Sequence, residues 1–571
     1  MPNIIFILLR RLRTPLIVLI TVYAVSILGF VLIPGQDDQG NIWHMGFFHA
    51  FYFVSFMGTT IGFGEIPYPF TDAQRMWSLT CIYGTVTAWL YGIGSLLSII
   101  QEPAFRKLST EKTFTRSLQR INEPFYLICG YGDTGSLLVE ALTEAGIRSV
   151  VIDRKQERID ALAIEDFHIH VPGLCADAAM PDTLIKAGLK HRHCIGVVTL
   201  TNIDHTNLQI SISAKLLRPE IPAIARAETR DAEDNIASFG TNYIINPFDT
   251  FAGRLALALH SPSTFLLYEW MTCVPHETLR DPVYPPRGLW ILCGYGRFGK
   301  AVHERLIAEG IDVIIVEATP EQTGAPEGTI VGRGTEADTL HQANIKEAVG
   351  IVAATDDDAN NLSIIMTARQ LNPKLFMVGR QNLRENDAIF EAANLELIMK
   401  RGSIIAHKIF AIITTRLLAD FLKETRKRSN DWANELISRL SGISNEEAPL
   451  RWSITVSSGH TPALSMAIAS ATPVTIAHLL SDPRNRSEKL KAIPLLLKRG
   501  RDNLLLPSED EQLVKGDEIL FCGLQSAQTQ MEWTILNHNV LNYVVTGEEN
   551  ASSVLSRLLT RNKANSKAIN E

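Results

Sequence analysis

No Cys-x-x-Cys pair occurs in the 571 residues, and the seven cysteines (Cys81, Cys129, Cys175, Cys194, Cys273, Cys293 and Cys522) stand singly. That spacing excludes a zinc finger or a disulfide framework and suits a reducing compartment. Basic residues are not in excess. The 54 Lys and Arg face 61 Asp and Glu, a net charge of −7, which argues against a nucleic-acid partner. With 46% hydrophobic and 20% charged residues, global disorder is excluded, and the length predicts roughly three to four domains. The mean hydropathy of +0.07 is ordinary, but it averages over segments that differ sharply.

Charge is missing altogether from some of these segments. None stands between Arg13 and Asp37, and residues 15–34 are almost wholly apolar. About 20 helical residues cross a hydrocarbon core of about 30 Å. Further uncharged runs cover residues 41–64 and 76–101. The length of the first run, with no small-residue cleavage motif after it, argues against a cleaved signal peptide. Arg10, Arg11 and Arg13 precede the first run, and Arg106, Lys107 and Lys112 follow the last. The positive-inside rule then predicts a multi-pass protein of the cell (inner) membrane with both termini cytoplasmic. Asp37, Asp38, Glu65 and Asp72 fall on the outer side. No segment carries arginine at every third position, so voltage sensing by a charged helix is not expected.

The middle run holds the sharpest motif. Residues 46–58 form a helix too short to cross, followed by Thr59-Thr60-Ile61-Gly62-Phe63-Gly64-Glu65. Non-helical backbone at membrane depth survives only where it is buried in protein or lines a wet cavity. Glycines alternating with bulky residues let successive carbonyls point to one side. Four such strands around an axis make oxygen rings that replace the hydration shell of K⁺. TTIGFGE resembles the potassium-channel filter signature TTVGYGD. The resemblance implies that Thr60, Ile61, Gly62, Phe63 and Gly64 form the filter and that K⁺ is the permeant ion. Phe63 stands where the family has a tyrosine, whose hydroxyl braces the filter from behind. The resemblance also places the hinge of the pore-lining second helix at Gly84, 20 residues beyond Gly64. Gly92 and Gly94 fit close helix packing equally well.

The remainder is duplicated. PFYLICGYGDTGSLLVEALTEAGIRSVVID (124–153) reads as strand, glycine turn, amphipathic helix and strand, and GLWILCGYGRFGKAVHERLIAEGIDVIIVE (288–317) repeats it 164 residues later. TNIDHTNL (201–208) pairs with TDDDANNL (355–362), and RPEIPAIAR (218–226) with NPKLFMVGR (372–380), each displaced by 154. Each GxGxxG follows a strand, opens a helix and has an acid 23 residues past its first glycine, the full dinucleotide fingerprint. Gly130, Gly132 and Gly135, with Asp153 and Arg154, predict one nucleotide site. Gly294, Gly296, Phe298 and Gly299, with Glu317, predict the other. The acids favour NAD, ADP or ATP over a 2′-phosphorylated cofactor. Arg297 adds positive charge where Asp133 adds negative charge, so tighter binding is expected in the second copy.

These repeats resemble RCK domains, regulators of potassium conductance that share their fold with TrkA-type subunits. INPFDTFAGRLALALHSP (245–262) looks like the family's helix leading into an intersubunit helix–turn–helix, and residues 398–422 occupy the same place in copy two. IPLLLKRGRDNLLLPSEDEQLVKGDEILFCG (493–523) resembles its small β-rich C-terminal lobe. Some members place an acid–Ala–acid motif after the last Rossmann strand. Here Arg226-Ala227-Glu228 lacks one carboxylate, so Ca²⁺ is not expected there. Asp356-Asp357-Asp358 and Asp231, Glu233 and Asp234 stay open as divalent sites, whereas His168, His170, His191 and His193 make a thin case for a transition metal.

The fold class expected is an α-helical pore followed by two α/β Rossmann-type domains and a small C-terminal lobe. The boundaries read as a pore (1–101), a polar linker (102–123), first and second RCK domains (124–285 and 286–445), the lobe (446–545) and a polar tail (546–571). The function implied is a homotetrameric K⁺ channel in lipid, gated by nucleotides and catalysing nothing. The alternatives are a regulatory subunit of a separate potassium transporter and a membrane-tethered NAD-dependent oxidoreductase. No acid–base constellation for the latter is evident.

Overall fold

The computed structural model describes residues 4–64, 66–101, 103–273, 282–443 and 449–548. Glu65 of the glycine motif, Glu102 and most of the expected tail lie outside the described residues. The chain divides into two units, Met1–Arg120 and Ile121–Glu571.

In the first unit, α1 (Ile4–Leu32) leads through a small antiparallel hairpin, β1 (Gly35–Gln36) and β2 (Ile42–Trp43), into α2 (Phe47–Gly58). The long α3 (Asp72–Gln101) follows. α1 and α3 approach closely because Gly29 leaves room for the indole of Trp77, which a Cβ there would meet at 2.1 Å. Trp77 Nε1 donates to the Ser26 carbonyl (3.1 Å), and Trp89 Nε1 donates to the Tyr23 hydroxyl (2.9 Å). The half-length α2 buries Ala50 and Val54 in a cluster with Ile27, Phe30, Met45 and Cys81.

Among the described residues one helix, over Leu12–Leu32, is long and apolar enough to cross a membrane. α3 has the length, with 30 residues, but Thr80, Tyr83, Gly84, Thr85 and Thr87 dilute its hydropathy. Most of the expected polar linker is one helix, α4 (Pro103–Gln119). Proline is well placed in a first helical turn, and Phe114 and Leu118, four apart, are both buried.

The second unit holds two six-stranded parallel sheets. The first has the order β5-β4-β3-β6-β7-β8: β3 (Phe125–Cys129), β4 (Arg148–Asp153), β5 (Gly173–Cys175), β6 (Cys194–Thr199), β7 (Ala223–Arg226) and β8 (Tyr243–Ile245). The second repeats it as β11-β10-β9-β12-β13-β14: β9 (Leu289–Cys293), β10 (Asp312–Glu317), β11 (Ile330–Val331), β12 (Gly350–Ala353), β13 (Phe376–Gln381) and β14 (Leu397–Lys400). Both are doubly wound Rossmann sheets, whose order reverses beside the first strand. Sequence units matched at a displacement of 154 make the same contact: the Asn207 amide donates to the Thr201 and Arg226 carbonyls, and the Asn361 amide to those of Thr355 and Arg380.

The two repeats exchange helices. Helix Pro247–His260, which follows the first sheet, buries Phe248, Phe251, Leu255 and Leu259 in the core of the second, against Trp290, Leu292 and Phe298. Helix Arg401–Thr414, which follows the second sheet, buries Ile405, Ile409 and Phe410 in the core of the first, against Tyr126, Ile128 and Leu138. Sequence reading expects the 245–262 helix to lead into an intersubunit helix–turn–helix. In the structure it packs on the other repeat of its own chain, because tandem duplication supplies that partner covalently.

The lobe is antiparallel, in the order β15-β18-β16-β17: β15 (Leu450–Thr455), β16 (Ala492–Arg499), β17 (Asp502–Leu505) and β18 (Glu518–Gly523). Leu495, Leu496 and Leu520 join helices Pro262–Thr272 and Arg416–Thr425 in one cluster. The repeats and the lobe thus pack as one unit.

Candidate functional sites

At the end of α2 the backbone alternates in hand: φ is +60° at Thr60, +66° at Gly62 and +75° at Gly64, while Ile61 and Phe63 keep negative values. An ordinary strand points successive carbonyls to opposite sides, whereas alternating hand brings them to one side. The Ile61 and Gly62 amides both turn back to the Phe56 carbonyl (3.0 and 3.4 Å). Among the described residues, the carbonyls of Thr60, Ile61, Gly62 and Phe63 accept no hydrogen bond. The C-terminal end of α2, the negative end of its dipole, adjoins this segment. A left-handed threonine costs roughly 1–2 kcal/mol, so the arrangement is imposed rather than relaxed. Phe63 packs edge-on to Phe56, with centroids 6.3 Å apart. Gly84 lies inside the unbroken α3, where a Cβ would meet only Val22, at 3.5 Å.

In the first Rossmann repeat, Gly130 is left-handed (φ +110°), and a Cβ on Gly135 would stand 2.1 Å from the Gly130 carbonyl. Side chains are therefore excluded at both positions. Asp153 is buried, with one oxygen accepting from the Tyr131 amide (2.7 Å) and Arg158 (3.2 Å), the other from the Lys155 amide (2.8 Å). A carboxylate offers about four acceptor sites, so about one is left for a ribose hydroxyl. Gly130, Gly132, Asp153, Lys155 and Arg158 border a cavity of about 480 Å³, which Gly135 does not line. Arg154 lines it from an exposed position, 3.8 Å from Asp177.

The second repeat copies this geometry. Gly294 has φ +101°, and a Cβ on Gly299 would meet the Gly294 carbonyl at 2.0 Å. Glu317 accepts from the Tyr295 amide (2.5 Å) and the Thr319 amide (3.0 Å). Its cavity is larger, about 730 Å³, and is lined by Arg297, Lys300, Arg333 and Arg380. Phe298 does not line it; its ring is fully buried in the core beneath, 5.5 Å from Phe251. Cys129 and Cys293, each preceding a glycine turn, are fully buried, and burial pushes the Cys293 thiol up to about 12. They are core residues.

The residue that opens each helix after the glycine turn also serves the interface between repeats. Arg297 pairs with Glu228 of the first repeat (2.9 Å) besides lining its own cavity. Asp133 packs beside Gly402 of the exchanged helix and faces the charge of Arg401. Glu228 is the hub. Its carboxylate receives Arg226, Arg297 and Arg401, the last at 3.1 Å. Burial raises its pKa, but the three guanidinium groups outweigh that and hold it below the usual carboxylate range. Arginines thus surround the carboxylate of Arg226-Ala227-Glu228.

Among the described residues no group of three His, Cys, Asp or Glu side chains converges as a metal site. Asp357 caps helix Asp358–Leu371 through the Asn360 amide (2.7 Å), and Asp358 accepts from the Asn382 amide (2.7 Å) and Leu383 amide (3.1 Å). Asp231 and Glu233 lie in the first turn of helix Arg230–Ser238. Sequence reading missed Arg158, Lys300, Arg333, Arg380 and Arg401. A signal existed for one of them, since both matched segments ending β7 and β13 close on arginine, Arg226 and Arg380.

Residues 126–247 and again 290–400 match the TrkA-N domain. Potassium channel protein 1 of Methanocaldococcus jannaschii is 28% identical over 202 residues, 35% of this chain and 59% of that protein. A Trk system potassium uptake protein TrkA homolog of Pyrococcus abyssi is 33% identical over 136 residues, 22% of this chain and 60% of that protein. The chain thus spans less than two thirds of these curated relatives. Among solved structures, the GsuK channel bound to NAD aligns with 93% of this chain and 99% of its own, at 16% identity and a TM-score of 0.44. Each Rossmann repeat of the chain is thus similar to the TrkA-N domain over most of its length.

Proposed function

We propose that four copies of this chain form a potassium-selective channel in a lipid bilayer, crossed by α1 and α3 and gated by nucleotides bound to the Rossmann repeats. The observation that carries the reading is the alternating backbone hand over Thr60, Gly62 and Gly64, which leaves a row of carbonyls without internal partners. Four such rows around an axis supply the oxygens a dehydrated K⁺ requires. With Gly84 as hinge, α3 would bend at the membrane's inner side. NAD, ADP or ATP acts as a regulatory ligand, not as a reactant, and shifts gating only by binding one shape of the sensor better than another. Calcium has no part at Glu228, which is already neutralised by arginine. The curated relative described as a potassium channel protein supports this reading.

A second reading, a regulatory subunit of a separate potassium transporter, draws on the TrkA homolog and on the single described helix that meets the spanning criterion. Potassium-loaded liposomes distinguish them. Efflux through the purified chain alone, changed by ADP or NAD, is the expected result. Efflux that needs another membrane protein would favour the second reading.

A further inference from the structure

The guanidinium of Arg380 stands apart from every other buried cation near the pockets. Its residue is 6% exposed, and its Nε is buried without a hydrogen-bond partner. Among the described residues it makes no ion pair and lies over the rings of Phe248 (5.2 Å) and Phe298 (6.0 Å). Yet it lines the second cavity. The matched Arg226 also leaves its Nε without a partner, but its terminal nitrogens are held by Glu228 and Asn202, and it does not line the first cavity. A buried cation without a partner is costly, and an anion entering the cavity would relieve that cost. Burial, with Arg401 next, depresses Arg380 to about 10, so it remains charged at neutral pH.

Position says which part of a ligand it would meet. In the order β10-β9-β12-β13, Glu317 closes β10 on one side of the glycine turn, and Arg380 lies near the end of β13 on the other. A nucleotide lying along this cavity has its ribose at Glu317 and its phosphates at the turn. The far end of the phosphate chain is then carried toward Arg380. In oxidised NAD that end is esterified to a riboside bearing a cationic nicotinamide; in a nucleoside di- or triphosphate it is a free terminal phosphate with an additional negative charge.

We propose that Arg380 is the terminal-phosphate subsite of the second repeat and makes that repeat select a nucleoside di- or triphosphate over oxidised NAD. This rests on reading the cavity as a nucleotide site.

The test uses the full chain in detergent with the first pocket filled by Gly132→Leu. Gly132 has φ −94°, and its Cβ would meet only the Arg158 guanidinium, at 3.5 Å, so a side chain fits without backbone strain. Calorimetric titration should find ADP bound at least about tenfold more tightly than oxidised NAD. Arg380→Gln should weaken ADP by about 10- to 100-fold, the loss of a charge-assisted contact, and leave NAD within about threefold. Arg380→Lys should recover part of the ADP affinity. Adding Gly296→Leu, where a Cβ meets nothing, should abolish both, fixing the heat to the second pocket. If Arg380→Gln weakens both ligands equally, or neither, the subsite is overturned while the nucleotide reading stands. If the Gly132→Leu chain binds neither ligand, both fall.

Discussion

At the scale of single residues, charge links the two repeats at one buried carboxylate. Glu228 is buried and held by three arginines from two repeats. Removing one partner of such a group strands the others, which typically costs about 3–5 kcal/mol. Glu228→Gln should therefore lower stability by that order, read as an earlier thermal transition of the detergent-solubilised chain. The pH dependence has a definite sign. Because the folded pKa of Glu228 is depressed, its contribution is complete above the ordinary glutamate value of about 4.3 and is lost as pH falls through the folded value. Wild-type and Glu228→Gln stabilities should accordingly converge on acidification. A difference that persists undiminished however far the pH is lowered, while the chain stays folded, would contradict the assignment.

At the scale of elements, the exchanged helices decide which sequence stabilises which sheet. Phe410 belongs to the second repeat by sequence but is buried in the core of the first. Phe410→Ala should cost about 3–5 kcal/mol. Hydrogen exchange should then quicken in β3, β4 and β6 while β9, β10 and β12 keep their protection. Loss confined to the second sheet would refute the exchange. Such packing was not legible in the sequence. The period of residues 401–414 announces an amphipathic helix, but not which of two near-identical sheets it covers. The strands, glycine turns and acids were legible, because hydrophobic runs ending in GxGxxG admit few other structures. Phe298 was read as a site residue from its place in the motif, and it packs downward instead because the helix alternates its faces. Arg380 escaped notice since burial without a partner is a property of three-dimensional surroundings. The helix within the linker was not legible for a different reason: a polar composition masks the few apolar positions, Phe114 and Leu118 among them, that it buries.

For the whole molecule, one chain joins a segment whose carbonyls lack internal partners to a unit built from two interlocked Rossmann repeats. The uncharged N-terminal runs and the nearly balanced remainder account for an average composition that describes neither part. The central claim is that the first part conducts K⁺ and the second governs it. Recording the purified chain in a planar bilayer with K⁺ on one side and Na⁺ on the other tests this most directly. The account predicts a current reversing near the K⁺ equilibrium potential, with an open probability that changes when ADP or NAD is added to the sensor side. A current that reverses near zero, or no current under any nucleotide, would contradict it.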